Sequence, residues 1–344
     1  MRSRNLRKSH NSFAFFPYDM NAFSFKLLLL LVVLLTTRNS SAFQHARISF
    51  RKSAQLSAVS RSKLAVVSPT STTLRGGALL PLSAPSTIPT ALKLFAASAL
   101  PTCLGFWKTG YAVSYGYGGA VAAAALLYPS AGCLSNLHKI ALVFYGLRLN
   151  AFLLYRNVFL PEDVHQMKQK PATLKERAKR LPIILSCSFL YFCLVAPLRV
   201  THLANTPMTG AVKYSVIASL FGFAFGAFGD FWKQVVKATK GKDALVTSGP
   251  FALLRHPNYT GELFGWFASF LTAVLAVAKT GDFKANALWL SFSAVGMAGI
   301  YFVLAGEAAP GLEKKHQSKY GSSPEYQAWC KRSWAGPMLK VQSK

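Results

Sequence analysis

The sequence has 344 residues, of which 52% are hydrophobic and only 15% are charged. A mean hydropathy of +0.29 is too apolar for an ordinary soluble domain of this size, so we expect an integral membrane protein. The 39 basic and 11 acidic residues give a net charge of +28, but the basic residues lie between long apolar runs, which is typical of membrane-flanking loops and not of a nucleic-acid-binding surface.

The N-terminal residues 1–42 predict a cleavable signal peptide. Basic residues precede a run of nine apolar residues at positions 27–35, which is too short to cross a hydrocarbon core of ~30 Å. Ser40 and Ala42 then supply the small side chains expected before a cleavage position.

Residues 43–87 have the composition of a disordered transit peptide, with six basic residues, nine serines and no acid. Phe43 opens this segment directly after the signal peptide, an order that resembles the bipartite presequences of complex plastids. We therefore expect the membrane of a complex plastid as the location, with the endoplasmic reticulum membrane as the alternative. A secreted protein with a disordered basic arm is a further interpretation of the same pattern.

Residues 88–344 predict an all-α membrane domain, a polytopic bundle of about seven transmembrane helices. Its five cysteines lack metal-ligand spacing, so no metal site and no disulfide framework is expected. The second predicted span is rich in glycine and alanine at residues 116–120, which suits close helix packing, and small residues recur in and just after the fifth at Gly222, Gly226 and Gly229. The predicted spans are residues 91–107, 111–128, 134–154, 181–198, 211–228, 263–278 and 288–304.

Clustered lysines and arginines predict the topology of the bundle. They occupy residues 156–180, 233–255 and the C-terminal segment 312–332. Seven helices place all three segments on one side of the membrane, as the positive-inside tendency also requires. That side would hold enough positive charge for a multiply anionic cofactor.

Residues 255–262 carry many polar side chains at the predicted end of a membrane helix, as expected of a ligand site in a membrane protein. Arg255 can clamp phosphate oxygens, or it is an interfacial arginine that extends to the membrane surface. His256 fits a switchable proton donor or a residue that positions Arg255 or a phosphate. Asn258 and Glu262 would share one helix face, where they complement a nicotinamide carboxamide or merely cap the helix.

Two further polar groups have similar alternatives. Asp230 and Lys233 lie at the end of the fifth apolar run. They form an ordinary interfacial ion pair, or the carboxylate of Asp230 orients a sugar hydroxyl or a neighbouring cation. The segment 312–332 is too polar for another span. It predicts a solvated amphipathic helix, or a cover from which Tyr326 and Arg332 fold over a cofactor.

These pieces together resemble the DUF1295 branch of the steroid 5-alpha-reductase C-terminal superfamily, which is related to isoprenylcysteine methyltransferase-like proteins. The resemblance covers about residues 141–337 and implies a bundle of about seven helices that uses NADPH to reduce a carbon–carbon double bond conjugated to a carbonyl in a lipid. Carried over by position, it implies a nucleotide site formed by Arg148, Asp230, Arg255, Asn258, Tyr259, Glu262 and Tyr326. The matching pieces are Gly146–Arg148 with Arg156, Asp230 with Lys233 and Lys237, Gly249–Phe251, Arg255–Tyr259, Gly261–Glu262 with Trp266, and Pro324–Gln327.

The chain departs from the steroid enzymes, which use an early-helix Gln–Glu pair near the substrate, because no acid occurs between Phe43 and Pro161. A tyrosine hydroxyl can instead hydrogen-bond a carbonyl oxygen as enolate charge develops. The candidates, each of which is equally an ordinary packing aromatic or histidine, are Tyr111, Tyr115, Tyr117, His138 and Tyr145.

Three functions fit the sequence, and all take place among membrane lipids. The first is NADPH-dependent reduction of a lipophilic enone of sterol, prenyl-lipid or acyl type. The second is an S-adenosylmethionine-dependent methyltransferase of the isoprenylcysteine or phospholipid type, which has a similar Arg-His-Pro element. The third is a non-catalytic membrane scaffold. Protein partners are not predicted.

Overall fold

The computed structural model describes residues 88–130, 132–159, 173–204, 207–208 and 210–338. The predicted signal peptide (1–42) and transit peptide (43–87) lie outside these ranges, as do residues 160–172 of the first basic loop. The predictions for those segments therefore stay predictions.

The first part of the bundle consists of short helices. Thr90 caps the first of them by accepting a hydrogen bond from the backbone N–H of Lys93 over 3.2 Å. A 3-10 turn, Cys103–Phe106, ends that helix, and the next helical run is interrupted at Ser114, whose φ and ψ are −112° and −88°. The short helices are α1 (Ala91–Thr102), α2 (Thr109–Val113) and α3 (Tyr115–Leu126).

Longer helices form the rest of the bundle. A π-helical segment, Phe302–Ala308, joins α9 to α10, so that these two helices form one continuous rod. The helices are α4 (Cys133–Phe159), α5 (Leu174–Ala178), α6 (Leu181–Ala204), α7 (Gly210–Lys240), α8 (Pro257–Thr280), α9 (Phe283–Tyr301), α10 (Ala309–Tyr320) and α11 (Pro324–Arg332).

Within the described residues, five helical segments are long and apolar enough to cross a membrane, and they correspond to the last five of the seven predicted spans. The first two predicted spans contain shorter helical runs. The first holds α1 with its 3-10 turn, Ala91–Phe106, and the second holds the end of α2 and the 12-residue α3. A run of 12 residues is about 18 Å long and one of 16 residues about 24 Å, both shorter than the ~30 Å hydrocarbon core. The all-α prediction is confirmed for the described residues, whose extended pairing is limited to an isolated bridge between Leu254 and Trp334. Seven full spans are not supported.

A glycine seam brings α7 and α8 unusually close together. A Cβ atom added to Gly222 would lie 2.5 Å from the backbone nitrogen of Gly265, and one added to Gly261 would lie 2.6 Å from that of Gly226. Small residues allow helix backbones to approach in this way within a membrane. Further along the seam, Gly229 faces Asn258, so the seam places the end of α7 against the start of α8.

The basic loop (residues 241–256) and the tail (residues 309–338) pack against each other at one end of the bundle. Trp329 donates its indole N–H to the carbonyl oxygen of Phe251 over 2.6 Å. Lys319 forms an ion pair with Asp243 and holds the pKa of that exposed carboxyl below its usual range by hydrogen bonding and charge attraction. The backbone of Trp334 accepts from Arg255 and donates to Leu253, each over 2.8 Å. Two of the three predicted basic segments therefore share one end of the bundle.

Candidate functional site

A buried carboxylate lies at the centre of the bundle. Glu262, in the second turn of α8, is 8% exposed. The hydroxyl groups of Tyr117 and Tyr145 both donate to its Oε1 atom, over 2.8 and 2.7 Å. The indole N–H of Trp266, one turn further along α8, donates to the Tyr117 hydroxyl over 2.7 Å. Residues from three helices, α3, α4 and α8, are thus joined by one carboxylate.

Aromatic rings surround this carboxylate. Tyr117 stacks on Tyr191 of α6, with ring centroids 4.8 Å apart and planes at 16°. Tyr145 meets Trp266 edge-to-face at 5.0 Å and Phe223 of α7 at 4.7 Å. These rings fix the two tyrosine hydroxyls and exclude water around them, so the hydrogen bonds to Glu262 are electrostatically stronger than in solvent.

A second polar group adjoins the first. Arg148 donates from Nη1 to Asp230 over 2.9 Å, and the side-chain amide of Asn258 donates to the other oxygen of Asp230 over 3.2 Å. The guanidinium carbon of Arg148 also lies 5.1 Å from the centre of the Tyr145 ring. Because Asn258 and Glu262 are one turn apart on α8, the two groups form a single polar cluster. We call it the Glu262 cluster: Tyr117, Tyr145, Arg148, Asp230, Asn258, Glu262 and Trp266.

The sequence correctly placed Asn258 and Glu262 near each other, on a helix that begins at Pro257. Their partners differ from the expectation, however, because Asn258 binds Asp230 whereas Glu262 binds tyrosines. Asp230 likewise pairs with Arg148 of another helix. Lys233, its predicted i,i+3 partner, is half-buried one turn further along α7.

A third polar group links α8 to the tail. Glu313 of α10 accepts from Arg255 Nη1 at Oε2 over 2.8 Å and from His256 Nε2 at Oε1 over 2.7 Å. His256 is buried and stacks between Tyr259, at 5.9 Å, and His316, at 6.2 Å. We call Arg255, His256, Glu313 and His316 the tail cluster.

Sequence reasoning missed Glu313, His316 and Trp266 as members of the site. Glu313 is an acid within a basic tail, and it lies three residues before His316, so the two share a helix face. That pairing did not reveal which residues of the basic loop would lie opposite. Trp266 was already among the residues that carry the family resemblance, but with no role assigned to it.

The two residues predicted to cover the site from the tail behave differently. Tyr326 is buried, 3% exposed, and burial together with a hydrogen bond to Cys330 raises the pKa of its phenol. Its ring packs against Trp329 and Tyr320. Arg332, at the end of α11, is exposed to solvent and is not brought into either cluster.

The structure separates the five candidate proton donors. Only Tyr117 and Tyr145 reach the Glu262 cluster. Tyr111 and Tyr115 contact each other edge-to-face at 5.2 Å around the break between α2 and α3. His138 is fully buried between the hydroxyls of Thr201, at 3.2 Å, and Ser269, at 2.7 Å.

The charge around the two clusters suits an anionic ligand. The segments 231–256 and 309–338 contain ten lysines and arginines but only three carboxylates. Buried nitrogen atoms without a hydrogen-bond partner occur at Nε of Arg148 and Nε of Arg255. Among the described residues, no group of three or more His, Cys, Asp or Glu side chains has the arrangement of a metal site.

An open apolar groove of about 520 Å³ lies elsewhere, on the rim formed by α1, the 3-10 turn and α5. Leu100, Phe106, Trp107 and Arg177 are among its lining residues, which include no member of either cluster. Its walls are apolar apart from Arg177, so the groove lacks the polar groups that a nucleotide requires.

A family model described as "protein of unknown function (DUF1295)" matches residues 114–333, more than half of the chain. The match contains every member of both clusters. No curated protein and no solved structure matches the chain.

Proposed function

The chain belongs to the DUF1295 family, and from the Glu262 cluster we propose that it is an integral-membrane reductase. It would use NADPH to reduce a carbon–carbon double bond conjugated to the carbonyl of a lipid. The observation that carries this proposal is the meeting of Glu262, Asn258 and two tyrosine hydroxyls inside the bundle, next to its most basic end. The steroid 5-alpha-reductase resemblance of the same residues gives the reaction class.

The side chains at the start of α8 fit a nicotinamide carboxamide. Both tyrosines bind Oε1 of Glu262, so neither uses Oε2, which is the oxygen that a carboxamide NH2 group would approach. The Asn258 amide group provides a donor and an acceptor one turn away. The basic side chains of the loop and tail, with the unpartnered nitrogens of Arg148 and Arg255, fit the phosphates of the same dinucleotide.

When bound, NADPH would supply a hydride to the β-carbon of the conjugated double bond. Tyr117 and Tyr145 would serve the remaining half of the reaction, the protonation, because their hydroxyls alone among the five candidates lie in the cluster. A hydroxyl turned from Glu262 to a substrate carbonyl would stabilise the developing enolate oxygen by hydrogen bonding. A proton delivered from that hydroxyl or from water to the α-carbon would complete the addition of two electrons and two hydrogens.

The surroundings of Glu262 also favour a second candidate function. A carboxylate surrounded by Tyr117, Tyr145, Tyr191, Trp266 and Phe223 suits a cationic ligand, since aromatic faces attract sulfonium and ammonium groups. S-Adenosylmethionine has such a sulfonium and no phosphates. A methyltransferase would therefore use the carboxylate and the rings but not the basic loop.

Thermal unfolding of the purified protein in detergent, with each cofactor in turn, separates the proposals. A ligand at 100 times its Kd stabilises the protein by ~2.7 kcal/mol, so the true cofactor should raise the melting temperature clearly. We expect NADPH to do so and S-adenosylmethionine not to. The opposite result would identify the methyltransferase, and stabilisation by neither would favour the scaffold.

A further inference from the structure

Arg255, assigned above to the dinucleotide phosphates, and the neighbouring His256 already hold an anion. That anion is the side chain of Glu313, whose two oxygens are each engaged, one by Arg255 and one by His256. Both distances, 2.8 and 2.7 Å, are those of charge-assisted hydrogen bonds. Since a carboxylate only accepts, Nε2 of His256 carries a proton.

The carboxylate does not satisfy every buried nitrogen of this group. Nε of Arg255 and Nδ1 of His316 are both buried and have no hydrogen-bond partner. A carboxylate has two oxygens, and in Glu313 both are occupied. A phosphate group in the same position has a third oxygen and a larger negative charge, so it is able to accept from Arg255 through a second nitrogen as well.

We propose that Glu313 is an internal substitute for a ligand phosphate, and that a phosphate-bearing ligand binds Arg255 and His256 by displacing it. The inference rests on the proposed function for the identity of that ligand, a dinucleotide. It adds that the tail acts as a gate. While Arg255 and His256 bind Glu313, the phosphate position is closed. Binding of a phosphate displaces Glu313 and releases α10 from α8.

The rest of the tail contacts the basic loop and would move with Glu313. Beyond the tail cluster, polar contacts with the basic loop come from Trp329 to Phe251, Lys319 and Tyr320 to Asp243, Thr247 to Glu325, and the backbone pair of Trp334. The π-helical segment Phe302–Ala308 lies directly before α10. Such segments interrupt the regular helical hydrogen bonding and are frequent at functional sites, so this one is the natural hinge.

Cys330 provides a built-in reporter of the gate. Its Sγ atom lies 3.9 Å from Nη1 of Arg255, and its side chain is only partly accessible. Cys103 and Cys133 are exposed whereas Cys187 and Cys193 are buried. In a full-length Cys103→Ser, Cys133→Ser background, the rate of maleimide labelling in detergent therefore reports how often the tail exposes Cys330.

The test compares labelling rates with and without inorganic pyrophosphate, with NADPH as a separate arm. We expect pyrophosphate to raise the rate of Cys330 labelling in the background protein but not after Arg255→Gln. Glu313→Gln should raise the rate without any ligand, by about tenfold, because one charge-assisted hydrogen-bond pair is weakened. Glu325→Gln is the matched control, because Glu325 is an exposed tail carboxylate outside both clusters that accepts a hydrogen bond from the hydroxyl of Thr247 over 3.3 Å. This substitution should change the rate less than about twofold.

The outcomes separate the gate from the reductase proposal. A labelling rate that pyrophosphate leaves unchanged or lowers would overturn the gate, even if NADPH binds tightly. A rate that rises with pyrophosphate while NADPH neither binds nor accelerates labelling would retain the phosphate-operated gate and reject NADPH as the cofactor. Because the pyrophosphate arm needs no Glu313 variant, it remains decisive if Glu313→Gln does not fold.

Discussion

The hydroxyl of Tyr145 donates to Oε1 of Glu262 over 2.7 Å, which joins α4 to α8 in the interior of the bundle. Tyr145 is fully buried and Glu262 nearly so. Burial of an acid at this depth costs folding free energy unless the acid is hydrogen-bonded. This contact therefore stabilises the fold as well as defining the site. Substitutions at and around this contact can separate these two roles.

Tyr145→Phe removes one of the two hydroxyls on Glu262 and keeps the ring packing. Since a buried carboxylate loses a hydrogen bond, the free energy of unfolding should fall by ~1–3 kcal/mol. Reductase activity should fall further than this loss of stability explains. Chemical unfolding in detergent, combined with an assay of NADPH oxidation, measures both effects. Tyr155→Phe is the control, because Tyr155 is on the same helix but exposed; equal effects of the two substitutions would contradict the assignment.

The ion pair between Arg148 and Asp230 is the second target. Each side chain is less than a fifth exposed, so Arg148→Met or Asp230→Asn alone leaves a poorly solvated charge and should destabilise the protein by about 3 kcal/mol. The double variant should lose clearly less than the sum of the two, because neither charge then remains unpaired. A double-mutant cycle of unfolding free energies measures the coupling, and strict additivity would show that the pair does not act as a unit.

The glycine seam allows a matched pair of alanine substitutions. Gly222→Ala places a Cβ atom 2.5 Å from the backbone of Gly265, so α7 and α8 must separate, at a cost of about 3 kcal/mol. At Gly311, within α10, an added Cβ meets nothing within 4 Å, and Gly311→Ala should be neutral or stabilising by up to ~1 kcal/mol. Melting temperatures in detergent compare the two. A Gly222→Ala variant as stable as Gly311→Ala would mean that the helices do not meet at this seam.

The sequence predicted the long helices well because their apolar runs are continuous. The first two of the seven predicted spans are not confirmed in the described residues, since run length does not reveal whether a helix is unbroken. The first helical run ends with the 3-10 turn at Cys103–Phe106, and the backbone break at Ser114 interrupts the second predicted span. Backbone breaks of this kind depend on packing, such as the hydrogen bond from Tyr191 to the carbonyl oxygen of Ala112.

The candidate site was predictable where its residues are neighbours in the chain. Asn258 and Glu262 share a helix turn, so their proximity follows from periodicity. The contacts of Glu262 with Tyr117 and Tyr145 span more than 100 residues of sequence, and those of Glu313 with Arg255 and His256 depend on how the tail docks. Such pairs are set by helix packing, which periodicity does not reveal. The sequence therefore left five equivalent candidate proton donors and gave Glu313 of the tail no role.

The central claim is that the Glu262 cluster and the basic end of the bundle bind NADPH together. Titration of NADPH into the purified full-length protein, followed by quenching of tryptophan fluorescence, tests it most directly with Glu262→Gln and Arg255→Ala as variants. We expect saturable binding to the unmodified protein and an affinity at least about tenfold weaker in each variant, since each substitution removes a charge-assisted contact. Absence of NADPH binding to the unmodified protein, or unchanged tight binding in both variants, would contradict the account.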